Sequence, residues 1–146
     1  MILPVTPVGP LSLSATWRGL SGVWFGEREG GGPAPVLKRA GQQIQEYLAG
    51  ARREFDVPLD IPELGFSSDV WRALLEIPYG KTLTYGEMAT RIGGSARAVG
   101  RACGANPLPL VVPCHRVLGK GGAITGYGGG IAVKRFLLAL ESGGLF

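Results

Sequence analysis

The stretch EFDVPLDIPELG, residues 54 to 65, limits what the rest of the chain can become. Pro58 and Pro62 offer no amide hydrogen to a helix or a sheet ladder, and each pushes the residue before it towards extended backbone. Acidic residues alternate with them. The segment therefore reads as an extended, solvated connector, with a lobe boundary near residues 60 to 65. Residues 1–65 and 66–146 are then two short lobes, and each must draw its core from a few elements.

In the first lobe, LSLSAT alternates Leu11, Leu13 and Ala15 with Ser12, Ser14 and Thr16, the period of a half-buried strand. LSGVWF has the aromatic and β-branched content of a second strand, with a hairpin turn at WRGL. GEREGGGPAP is a loop. VLKRAGQQIQEYLAG predicts a helix with Leu37, Ala40, Ile44, Tyr47 and Leu48 on one face and Gly50 as its C-cap. A small α/β lobe is expected.

The second lobe reads as mostly helical. SSDVWRALLEIPYG sets Val70, Trp71, Leu74 and Leu75 at helical spacing and ends at Pro78 and Gly80. TYGEMATRIGG opens on a capping box, Thr84 to Glu87, and stops at Gly93 and Gly94. Ser95 can cap the next helix, ARAVGRACGA, which runs to a turn at Asn106-Pro107. Two short helices joined by a glycine turn predict a helix-turn-helix. The second is nearly all alanine and glycine, with Arg97 and Arg101 one turn apart. That form suits a DNA groove, and it equally suits tight helix packing with two solvated arginines. IAVKRFLLALE predicts an amphipathic helix burying Val133, Phe136, Leu137 and Leu140. Glu141 falls at the edge of that face, where a carboxylate opposes the helix macrodipole. It is either a frayed surface residue or one with a cationic or hydrogen-bonding partner.

The chain is 45% hydrophobic and 18% charged, enough for a packed core. No apolar run reaches the length of a membrane span, and MILPVTPVGPL lacks the pattern of a signal peptide. A cytoplasmic protein with no membrane contact is expected. The net charge of +4 is uneven: residues 1–65 hold six basic and seven acidic side chains, residues 66–146 nine and four. This asymmetry fits a polyanion partner for the second lobe, or an ordinary solvated surface. GKGGAITGYGGG, residues 119 to 130, has seven glycines in twelve positions and lacks the phosphate-loop pattern. It is a flexible linker, or a loop laying bare backbone on a flat ligand with Tyr127 as its large side chain.

The two cysteines are Cys103 and Cys114, and His115 is the sole histidine. Three candidate ligands, two of them adjacent, argue against structural zinc, so no metal is expected. Cys103 reads as a small buried side chain. Cys114, in VVPCHRVLGK, could be a spacer, a ligand, a redox thiol or a nucleophile. A nucleophilic thiol needs a base, and His115 is the sole imidazole. Pro113 breaks any regular strand, so a bend can bring thiol and imidazole together. With Glu141 to orient the histidine, composition and spacing reach a Cys-His-Glu relay beside a basic helical pair.

These residues carry a resemblance. PCHRV preceded by NPLPLVV resembles the active-site signature of the O6-alkylguanine-DNA alkyltransferases, or methylated-DNA–protein-cysteine methyltransferases. YGKTLTYGEMA, ARAVGRACGANP, the glycine loop with its tyrosine and AVKRFLLALE follow in the family's order. The likeness is close over residues 66–146 and looser over the first lobe, in PVGPLSL and FDVPLD. It implies a small ribonuclease-H-like α/β lobe, then a mostly helical, winged-helix-like DNA-binding lobe. Cys114 matches the alkyl acceptor, His115 the histidine that deprotonates it through a water, and Glu141 the carboxylate orienting that histidine. Asn106 matches the asparagine bracing the turn before the active-site segment. Tyr85 matches a tyrosine that helps expel the nucleotide and serves the leaving base. Arg97 matches the arginine that enters from the minor groove and fills the place of the rotated base. Thr84, Ser95, Arg101 and Lys120 are expected to extend the DNA footprint. Val117, Tyr127, Gly128 and Gly129 are expected to line the substrate pocket. Gly128 stands where some members have serine, the GGS turn is shorter than in some relatives, and the first lobe lacks the zinc ligands of some members.

The implied function is direct reversal of O6-alkylguanine, with O4-alkylthymine left open, in duplex DNA. The base rotates out, its alkyl group passes irreversibly to Cys114, and each molecule acts once without a cofactor. A monomer is expected in solution, with assembly on DNA left open. Two rivals are a DNA-lesion sensor or regulator with little alkyl transfer, and a cysteine hydrolase, which would turn over without DNA.

Overall fold

The structure, a computed structural model, describes residues 1–144. It divides into two compact units, Met1–Ile61 and a second beginning at Pro62. The division falls inside the proline-rich connector. The last two positions of the second lobe, 145–146, lie outside the described residues.

In the first unit, strands β1 (Ile2–Leu3), β2 (Leu11–Thr16) and β3 (Gly19–Phe25) form an antiparallel sheet in that order. The alternation read in LSLSAT holds in part: Leu11, Leu13 and Ala15 are buried, each leucine worth about 1.5–3 kcal/mol of apolar transfer, but Ser12 is fully buried too, its hydroxyl donating to Gly26 O and accepting from Arg28 N–H. Trp17 and Arg18 form the hairpin turn. Helix α1 (Ala34–Leu48) packs on β2 and β3 through Leu37, Ala40, Ile44, Tyr47 and Leu48, the face the spacing predicts. The connector is partly ordered. Leu59 bridges Leu20, with Leu20 N–H donating to Pro58 O and Asp60 N–H to Leu20 O, both at 2.8 Å. Gly19 is required there, because a Cβ would collide with the Pro58 carbonyl. Strand β1 was not expected; two residues carry no readable period.

The second unit begins its helices with α2 (Phe66–Leu74), which packs against α3 (Tyr85–Ile92) and α4 (Ala96–Gly104). Leu75 caps α2 and is exposed, so it lies off the expected apolar face. The buried Trp71 indole donates to Ala102 O on α4 at 2.8 Å. The capping box forms as read: Glu87 N–H donates to Thr84 Oγ1 at 3.1 Å and Thr84 N–H to Glu87 Oε1 at 2.9 Å. Ser95 Oγ accepts from Ala98 N–H at 3.1 Å, capping α4. In the turn between these helices Gly94 has φ +96°, and a Cβ there would lie 2.9 Å from the Phe66 ring. A two-residue strand β4 (Leu83–Thr84) pairs in parallel with β5 (Val117–Leu118), tying the start of α3 to the segment after Cys114.

The final helix, α5 (Ile131–Ser142), differs from expectation. Its buried stripe is Lys134, Leu137, Leu138 and Glu141, while Val133, Phe136 and Leu140 are only partly covered. The helix is rotated because two charged side chains, each with a buried partner, belong to its inner face. Among the described residues no helix is long and apolar enough to cross a membrane.

Candidate active site

Positions 111 to 119 are all buried, and Cys114 sits at the turn within them. Asn106, just after α4, braces the approach: its Nδ2 donates to Val112 O at 2.8 Å and its Oδ1 accepts from Leu108 N–H at 2.9 Å. Between these anchors Leu110 has φ +76°, a strained conformation for a bulky residue. Pro113 then ends any extended run, and Cys114–Arg116 form one 3-10 turn. This is the expected bend. Cys114 is 7% exposed and opens onto a cavity of about 360 Å³. Its walls are Tyr85, the α4 face of Gly100, Cys103 and Gly104, and loop residues 125–128.

Behind Cys114, His115 is fully buried, and its Nε2 lies 2.8 Å from Glu141 Oε2. Arg116 grips the same carboxylate with Nε to Oε1 at 2.7 Å and Nη2 to Oε2 at 3.0 Å. Its Nη1 donates to Ile77 O at 2.6 Å, and its guanidinium lies over the Tyr79 ring. A carboxylate so held is ionised and can only accept. Nε2 therefore carries the hydrogen, and in a neutral ring Nδ1 is the basic nitrogen. Glu141 at the helix end is thus held by His115 and Arg116, with the Gly80 N–H donating to Oε1 at 3.4 Å, which resolves the placement that looked unfavourable in the sequence.

Burial pushes the Cys114 thiol above its ordinary pKa, opposed by a hydrogen bond from the Asn106 side chain and by the charge of Lys134. Burial also pushes His115 below its ordinary value, with Glu141 pulling the other way. The resting pair is therefore a neutral thiol beside a neutral imidazole. Cys103 is raised to about 12, by burial first and then by Cys114, so it stays a thiol. It is half-buried and on the cavity wall, not the fully buried side chain expected. Lys134 is 1% exposed; its Nζ donates to Val117 O at 2.7 Å and lies 5.8 Å from the Tyr85 ring centroid. Burial lowers its pKa, while the two thiols favour its charged form. Burial raises Tyr85, against a hydrogen bond with the Thr125 side chain.

Around Tyr85 a second hollow, about 540 Å³, is lined by Thr84, Arg97 and Lys120 and by small residues of α3 and α4. Arg97 and Lys120 are exposed cations on its rim. Arg101 is exposed but off this lining, and the Ser95 hydroxyl serves as the α4 cap. Of the expected pocket residues, Tyr127 and Gly128 are on the wall beside Cys114. Val117 is fully buried in β5 and holds Lys134 by its carbonyl, and Gly129 is not on that wall. Sequence reasoning missed Arg116, Lys134 and Thr125. The signal for Arg116 was a charge within an apolar run, and for Lys134 its position seven residues before Glu141.

Comparison with known proteins places the chain in a family. The family model described as 6-O-methylguanine DNA methyltransferase, DNA binding domain, matches residues 65–143, and its ribonuclease-like domain matches residues 3–61. The methylated-DNA–protein-cysteine methyltransferase of Mycobacterium tuberculosis is 48% identical over 145 residues, covering 93% of this chain and 88% of that protein. The protein of the same name from Methanosarcina acetivorans is 42% identical, covering 93% and 94%. A crystal structure of Mycobacterium tuberculosis OGT in complex with DNA superposes with a TM-score of 0.87 at 43% identity, covering 97% of this chain and 91% of that one. The chain belongs to the 6-O-methylguanine DNA methyltransferase family, with a ribonuclease-like domain followed by a helical DNA-binding domain.

Proposed function

We propose that this protein repairs O6-alkylguanine in duplex DNA by direct transfer of the alkyl group to Cys114. The observation that carries the reading is a thiol at a cavity wall whose neighbouring imidazole is oriented by a buried carboxylate, within a domain matched by the family's DNA-binding model. Its relatives' name and the DNA-bound neighbour support DNA as partner. The pairing of β4 with β5 beside the helix-turn-helix supports a winged-helix-like reading of residues 66–146, and the hollow rimmed by Arg97 and Lys120 supports approach from the minor groove with Arg97 beside the vacated base position.

The step follows from the resting protonation states. His115 Nδ1 takes the Cys114 proton through a water as the sulfur attacks the alkyl carbon. The C–O6 bond breaks, its electron pair passes to the guanine, and the base receives a proton in turn, with Tyr85 on the cavity wall as the proposed donor. The products are a thioether at Cys114 and guanine. Lys134 supports the thiolate electrostatically as it forms, and Asn106 supplies a hydrogen bond. Once alkylated, the acceptor is consumed.

The test is incubation with a duplex containing O6-methylguanine, then intact mass and peptide mapping. One methyl per protein on Cys114, absent in Cys114→Ser, is expected. Catalytic turnover, or a methyl on Cys103, refutes the assignment; duplex binding without transfer supports the lesion-sensor alternative.

A further inference from the structure

The Glu141 carboxylate is shared unequally. His115 reaches it with one hydrogen bond at 2.8 Å, while Arg116 makes two, at 2.7 and 3.0 Å, in a fork that a guanidinium holds rigidly. Arg116 is itself fixed from behind by the Ile77 carbonyl at 2.6 Å and by the Tyr79 ring. Three segments thus meet at this ion pair: the turn after α2, the 3-10 turn and the end of α5. A carboxylate that served His115 alone would favour the imidazolium and hold the base protonated. A carboxylate already neutralised by arginine orients the ring without doing so.

We propose that Arg116 is a positioning residue for alkyl transfer, acting through Glu141: as the carboxylate's counterion it leaves His115 with an orienting hydrogen bond and a basic Nδ1. The inference rests on the repair reading for its purpose, but the electrostatics stand alone. The groups facing His115 among the described residues are few. Its own turn contributes Cys114 and Arg116, α5 contributes Glu141 and Lys134, and the glycine loop contributes Tyr127, edge-on at 6.4 Å. The turn after α2 contributes the Ile77 carbonyl and the Tyr79 ring to Arg116 and the Gly80 N–H to Glu141 at 3.4 Å. Both cations disfavour imidazolium, and Arg116 is the one bonded to its counterion.

His115 is the sole histidine of the chain, so its ring nitrogens can be followed by NMR without ambiguity. In the wild type the neutral ring should carry its hydrogen on Nε2. Arg116→Met should raise the titration midpoint by ~1 pH unit or more, and the acid limb of single-turnover transfer should move up by the same interval. Arg116→Lys, which keeps the charge, should titrate close to wild type. Arg116→Met/Glu141→Gln, which also removes the carboxylate, should abolish the rise. If Arg116→Met fails to fold, Arg116→Gln decides by the same readout, since it keeps hydrogen-bond donors without charge. An unmoved midpoint in a folded, uncharged variant, or a hydrogen on Nδ1 in the neutral wild-type ring, overturns the proposal. The titration needs no DNA, so a wild type that transfers no alkyl group would sink the repair reading and leave this one to its own measurement.

Discussion

Replacing Asn106 by alanine should cost both stability and rate, and the two losses have separate origins. The side chain satisfies Leu108 N–H and Val112 O, both on residues buried to 1% exposure or less. Alanine orphans both, at about 1–3 kcal/mol each, or roughly 2–6 kcal/mol together. The bracket also holds Leu110 at φ +76°, a conformation that costs about 1–3 kcal/mol and persists only where its surroundings over-determine it. Relaxation of that strain offsets part of the loss, which places the net in the lower half of the range, at about 2–3 kcal/mol. A domain of this size is stabilised by only about 5–15 kcal/mol, so the variant should fold but melt roughly 10 °C lower or more. Separately, Cys114 loses a hydrogen bond that favours its thiolate. Bonds to charged groups are worth about 1.5–3 kcal/mol, so transfer should slow roughly 10- to 100-fold. The measurements are urea unfolding by circular dichroism and single-turnover transfer well below the lowered melting point. A stability loss under ~1 kcal/mol would mean that water or backbone replaces the bracket. An unchanged rate in a folded variant would mean that Asn106 does not reach the reacting sulfur.

Lys134→Met should slow transfer at neutral pH and recover part of the rate in alkali, because the thiolate loses a cation but hydroxide can still form it; a pH-independent deficit would refute that role. The depressed pKa of His115 means that the unfolded state binds its proton first as pH falls below about 6.5. Stability should therefore decline from there down through the folded-state pKa, and His115→Gln should flatten that part of a pH series of unfolding midpoints. Wild-type transfer should keep its rate below pH 6.5 for the same reason, since the base stays neutral; a loss centred at or above that value contradicts the assignment. Arg97→Ala should slow repair in duplex DNA far more than reaction with free O6-alkylguanine base, since unstacking costs a few kcal/mol, and equal slowing would indicate a pocket defect. Gly94→Ala should destabilise the second unit by about 1 kcal/mol or more through its positive φ and the Phe66 contact, read as a shift in urea midpoint.

Local signals carried well into the structure. The capping box at Thr84, the cap at Ser95, the buried leucines of β2 and the proline-induced turn at Cys114 each follow from a few neighbouring residues, and each formed as read. The misreadings share a cause. Hydrophobic spacing put Val133 and Phe136 on the inner face of α5, whereas the buried stripe runs through Lys134 and Glu141. Periodicity cannot show a charge whose counterpart lies 17 to 25 residues away, as for Lys134 with Val117 and Glu141 with Arg116. The two-residue strands β1 and β4 were invisible because they exist only through pairing. Cys114, His115 and Glu141 were recoverable because so few residues could serve; Arg116 was passed over because an arginine in a basic lobe looks like surface.

The bond from Trp71 to Ala102 has a spectroscopic consequence. Helix α4 is nine residues long with glycine at 100 and 104, each costing about 1 kcal/mol against alanine, and so short a helix does not persist alone in water. It is held by what it rests on, and the indole that anchors it is the sole tryptophan after Ile61. With Trp17 and Trp24 replaced by phenylalanine, the remaining emission would come from a ring buried in apolar surroundings and hydrogen-bonded to the helix that carries Arg97. Loosening of that helix would wet the indole and shift its emission to the red. The chain therefore contains its own optical gauge of whether α4 is assembled on its neighbours.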